Sequence, residues 1–218
     1  LWVLFSLSHW PGAVRTGMIN YLKRSLQLGR LVEHGLQNKR PEALEQLKTQ
    51  LKEQVRLPTG WRSLGMPLVL AMVMAVLSFA IPQVSFWVAI SQSLGLAENA
   101  FFIGMLVSNF LFCALIIPAM TGVARGYLRA LQLWLALVAI AVFVSALFFI
   151  SVLVTLLSSE EVVRWDIIGA LLGIMFSVFS VRCINSRLFM ETVALGFYNR
   201  ILREQAKYQA YQPGVMKR

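Results

Sequence analysis

Four long stretches almost free of charge constrain this chain more than anything else in it: roughly 64–90, 99–124, 131–157 and 165–184. A helix rises about 1.5 Å per residue, so about 20 apolar residues cross the hydrocarbon of a bilayer. Each stretch meets or approaches that length. Shorter runs of about 10 residues would instead have pointed to buried strands or core helices. A membrane β-barrel needs segments of roughly 10 residues in which apolar and polar positions alternate. "LALVAIAVFVSALFFISVLVTLL" (135–157) is apolar on every face, which excludes that pattern.

Composition agrees. The chain is 58% hydrophobic and only 14% charged, against about half and about a quarter in soluble domains. A core of this size has no room for so much apolar surface. The expected fold class is an all-α integral membrane protein. It has a four-helix transmembrane bundle over 64–184, a cytoplasmic amphipathic helical hairpin within 13–63, and a C-terminal cytoplasmic helix and tail over 185–218. The first residues, "LWVLFSLSHWPG" (1–12), are too short to span. They read either as an interfacial anchor, with Trp2 and Trp10 suited to a membrane surface, or as the end of a further span.

Charge orients the spans. Ten basic residues fall in 11–63, two between the second and third spans (Arg125, Arg129) and seven from Arg182 onward, which leaves only Arg164 elsewhere. Lys and Arg in excess mark the cytoplasmic side. The expected topology therefore has both termini inside, in a bacterial-type inner (plasma) membrane. The linkers near 91–98 and 158–166 face outward. The same asymmetry accounts for the net charge of +10 without nucleic acid, for which no aromatic-interleaved reading motif is present. Anionic lipid headgroups on the cytoplasmic side are the expected partners, together with a second copy or another protein subunit.

Within 13–63, "MINYLKRSLQLGRLVEHGLQ" gathers Met18, Ile19, Leu22, Leu26, Val32 and Leu36 on one helical face, with Gly29 and Gly35 weakening the helix. After "NKRP", Pro41 opens a second helix. Its narrow apolar stripe, Leu44, Leu47, Leu51 and Val55, is the candidate docking surface for a partner. In the tail, Leu188, Val193, Phe197, Ile201 and Leu202 are expected to face the membrane or the hairpin.

Ionisable residues at mid-depth in a span mark ion or proton pathways, and the four runs contain none. Gly169 and Gly173 form G-x-x-x-G in the fourth run. Ser177 extends the row, which makes a close helix-packing face, within one chain or between copies. Pro67, Pro82 and Pro118 each remove a backbone donor and are expected to kink a span. Ser78, Gln83, Ser108 and Asn109 are the candidate lining of a pore or groove. Interhelical hydrogen bonding is the simpler role for such residues, Asn109 included.

The outward acidic turn "SSEEVVRWD" (158–166) holds Glu160, Glu161 and Asp166. Glu160 and Arg164 are spaced to pair on a helical turn, and Asp166 is placed to cap the fourth span. Cys113 and Cys183 lack the setting for a disulfide. His9 and His34 lack ligand spacing, and no nucleotide, zinc or hydrolase motif appears. No catalytic, cofactor-binding or metal-ligating residue is expected. The expected function is a non-enzymatic subunit acting as anchor, scaffold or sensor in a larger membrane assembly. The alternative is a homo-oligomeric channel or transporter component.

Overall fold

A computed structural model describes residues 20–38, 45, 47–49, 51, 65–97, 99–158 and 164–211. The regular elements in that set are all helices: α1 (Asn20–Asn38), α2 (Met66–Ser93), α3 (Ala100–Ala124), α4 (Leu128–Leu157), α5 (Arg164–Ile184) and α6 (Arg187–Tyr211). Helices α2 to α4, and Trp165–Ile184 of α5, are long and apolar enough to cross a membrane. They fall within a few residues of the four apolar runs.

Local chemistry sets the ends of these helices. Gly65, at φ 83°, precedes α2, and Pro67 occupies its first turn, where the missing N–H removes no helical bond. Pro67 therefore starts a span rather than bending one, while Pro82 and Pro118 lie inside α2 and α3. Helices α2 and α3 stop in the same way. Gly95 and Gly126 take positive φ. In each case the glycine N–H and the next N–H bond back onto the last turn: Gly95 to Gln92 O and Leu96 to Ser91 O, then Gly126 to Val123 O and Tyr127 to Gly122 O. A left-handed glycine closing two orphan carbonyls this way ends a helix abruptly. Helices α3 and α4, the second and third spans, therefore follow tight reversals.

In the bundle α2 and α4 form the shared centre, and each packs on α3 and on α5, which lie to either side. The α2–α5 interface is the most extensive. Helix α3 is the least buried span. Ile103, Leu106 and Phe110 on its outer face are 71%, 68% and 69% exposed, a row that water would penalise and lipid tails would not.

Helix α6 continues past α5 after a break at Asn185–Ser186. It runs antiparallel beside the start of α4. Phe189 stacks on Trp134 with ring centroids 5.5 Å apart, and seven residues later Gly196 meets Gly126. Helix α1 lies on α6 and on the first turn of α4. Gly29 faces Phe197 and Leu128, and Glu33 faces Arg200, so α1 and α6 advance in the same direction. Ser25, Val32, Val193, Phe197 and Ile201 are all nearly or wholly inaccessible. This second core is continuous with that of the spans.

Candidate functional site

Two places concentrate polar chemistry: the seams between spans, and the end of the bundle where α1 and α6 enclose the α3–α4 turn.

The first seam joins α5 to its neighbours. Gly173 lies against Ser145 of α4, so closely that an added Cβ would come 2.7 Å from the hydroxyl oxygen. One turn on, the hydroxyls of Ser177 and Ser78 are 2.5 Å apart. Ser180 donates to the carbonyl of Ala71 at 3.0 Å. At the opposite end Ser85 donates to a carboxylate oxygen of Asp166 at 2.7 Å. Asp166 thus sits in the first turn of α5, tied to α2, rather than standing at the cap. The row Gly169, Gly173, Ser177 is a packing face within one chain. Gly169 is its looser end, where a Cβ would meet Ile81 at 3.4 Å and Phe148 at 3.7 Å, ordinary contact distances.

The second seam joins α2 to α3. Gln83 is buried, and its Oε1 accepts from the Trp87 indole N–H and the Ser108 hydroxyl, each at 3.1 Å. Gly104 opposes the Trp87 ring with no room for a side chain, which lets the indole lie against α3. Of the four candidate lining residues, Gln83 and Ser108 come together. Ser78 belongs to the other seam. Asn109 does not reach across helices: its amide donates to Met105 O of its own helix at 2.9 Å. Its buried Oδ1 has no partner among the described residues.

The enclosed turn is the more elaborate structure. Arg200 of α6 donates to Glu33 of α1 at 3.0 Å and to the carbonyl of Gly126 at 3.1 Å. Its guanidinium lies 4.8 Å from the centre of the Tyr127 ring. Arg203 donates to the carbonyl of Arg125 at 2.7 Å. One planar, permanently charged fork thereby holds an acid, a backbone carbonyl and an aromatic face together, which an ammonium group is poorly shaped to do. Backbone contact supplements it. A Cβ on Gly196 would lie 2.9 Å from Val123 O and 3.1 Å from Ala124 O.

The docking stripe is placed in part. Leu51 is buried in the common core and Leu47 packs against Gly35. Leu44 and Val55 lie outside the described residues, as do Glu160 and Glu161. Gly29 and Gly35 prove to be contact points where α1 meets Phe197, Leu128 and Leu47. In the tail, Val193, Phe197 and Ile201 are buried, whereas Leu188 and Leu202 are exposed. Sequence reasoning passed over Gly126, Gly196 and Arg200. A glycine directly after an apolar run was the available signal for the first; the other two had none.

Among the described residues no group of three or more His, Cys, Asp or Glu side chains is arranged to hold a metal ion. Compared with known protein families, curated proteins and solved structures, the chain matches none.

Proposed function

We propose that this chain is a non-enzymatic, polytopic subunit of an inner (plasma) membrane that anchors, scaffolds or senses for a larger assembly. In this reading both termini face the cytoplasm, and α1, the segment after it and α6 form the cytoplasmic part through which a partner or a second copy is engaged.

The observation that carries the reading is the Arg200 clamp, which joins α1, α6 and the α3–α4 turn. A load or signal arriving on α1 or α6 passes directly to two spans through that clamp. Gln83, Ser108, Ser78 and Ser177 support it in a second way. Their polar groups bond to neighbouring helices, a packing use that favours a scaffold over a pore within one chain.

The deciding experiment is gentle extraction in native lipid, followed by the mass and composition of what is recovered, for the whole chain and for a deletion of 18–56. The reading requires the deletion to lose a partner or change the oligomeric state. An identical complex from both overturns it.

A further inference from the structure

The exposed basic residues nearest the spans form a band at one depth, and α4 serves as the ruler. Gly173 of α5 faces Ser145. Arg182, nine residues further along α5, is therefore level with about Ala136 of antiparallel α4, at equal rise per residue. Gly29 of α1 faces Leu128. Arg24 and Lys23, five and six residues before Gly29, lie about 8–9 Å nearer the spans, level with Leu133 and Trp134 respectively. Three cations from two helices thus register within about one helical turn of each other. Beyond that level α4 carries no charge from Ala136 to Leu157, a length of about 33 Å, matching the hydrocarbon thickness.

Charge at this end is lopsided in a specific way. Its described carboxylates are all spent on internal pairs: Glu33 with Arg200, Glu45 with Lys48, Glu191 with Arg187 and Glu204 with Lys207. Lys23, Arg24 and Arg182 are exposed, and no described carboxylate pairs with them. On α1 the only acid turns inward to Arg200, so its outward face offers cations alone.

We infer that Lys23, Arg24 and Arg182 form a phosphate-binding band that selects anionic lipid headgroups of the adjacent leaflet. This inference rests on the membrane reading and on that end lying at the headgroups, but not on any protein partner. Cations held at headgroup depth draw anionic lipid by about fivefold each, from the ordinary attraction of a basic residue to such a surface.

The test uses the full chain, purified alone, in nanodiscs of equal phosphatidylglycerol and phosphatidylcholine. The readout is the lipid that stays bound in native mass spectrometry. The chain is expected to retain phosphatidylglycerol in several-fold excess. K23Q/R24Q/R182Q is expected to fall to the bulk ratio with an unchanged melting temperature, because all three side chains are exposed. K48Q/K207Q, which alters cations away from the band, is expected to keep the excess. Equal retention of both lipids by the unaltered chain, or an excess that survives the triple substitution, overturns the inference. Displacement of the lipid by millimolar inorganic phosphate also overturns it, since the site would then be one for a soluble anion. Because no other protein is present, loss of the scaffold reading would leave these results unaffected.

Discussion

Gly126 and Gly196 meet backbone to backbone: a Cβ on Gly126 would fall against the carbonyl of Gly196, 2.7 Å from its carbon. Gly126 also holds φ 81° to end α3. The contact fixes how far α6 sits from the α3–α4 turn, and so whether Arg200 and Arg203 reach the carbonyls of Gly126 and Arg125. Gly196→Ala gains helix propensity of up to about 1 kcal/mol but forces a methyl onto two backbone oxygens. Overpacking of that kind typically costs about 1–3 kcal/mol. Net destabilisation is expected, measured by thermal unfolding in detergent. A variant as stable as the parent would show that the helices separate freely.

The Arg200 clamp makes unequal predictions for its two charged partners. Glu33→Gln removes one charge from a half-exposed pair and is expected to cost under about 1 kcal/mol. Arg200→Ala removes the pair, a carbonyl bond and a ring contact together, and is expected to cost about 2 kcal/mol. Arg200→Lys should recover little of that loss. Amide exchange across 125–128 and in α1 is the direct measure. Faster exchange in Arg200→Ala than in Glu33→Gln is the expected order.

The two glycines of the α5 row are expected to differ. Gly169→Ala meets only ordinary contacts, so it should be neutral or stabilising by up to about 1 kcal/mol. Gly173→Ala presses on the Ser145 hydroxyl and should destabilise by about 1 kcal/mol or more. Equal effects in unfolding titrations would contradict the close approach of α5 and α4 at Gly173.

Ser78 and Ser177 call for a double-mutant cycle. Each Ala substitution leaves one hydroxyl facing a methyl group, whereas the double substitution leaves two methyls in contact. The expected coupling is about 0.6 kcal/mol, the usual size for interhelical hydrogen bonds in membranes. A coupling of zero would mean that each hydroxyl finds a carbonyl of its own helix instead.

How much of this was legible in the sequence differs from element to element. The spans were legible because hydrophobic length is a local property, and both the runs and their boundaries follow from it. The apolar face of α1 was legible for the same reason, as Val32 shows at full burial and Leu22, Leu26 and Leu36 at half burial. Gly29 and Gly35 were misread as weaknesses, because a missing side chain reads as low propensity until the element packed against it is known. Gln83 and Ser108 were grouped with Ser78 and Asn109 as candidate lining, but that these two meet, and that Trp87 joins them, was not legible, since an indole N–H carries no positional signal in a sequence.

The sequence by itself determined that four helices form, where they stop, and that cations gather at one set of ends. Those follow from apolar length and from the count of Lys and Arg, whereas the left-handed turns of Gly95 and Gly126 that close the first two spans emerged only in the structure. Only the tertiary structure decided which faces meet. The small residues of α5 turned inward to Ser145 and Ser78, and Arg200 found Glu33 at a distance of 167 positions along the chain. Lys23, Arg24 and Arg182 came to one depth. Helix formation is governed by neighbours within a few residues. Pairing of faces depends on groups far apart in sequence, whose meeting is set by the packing of the whole bundle.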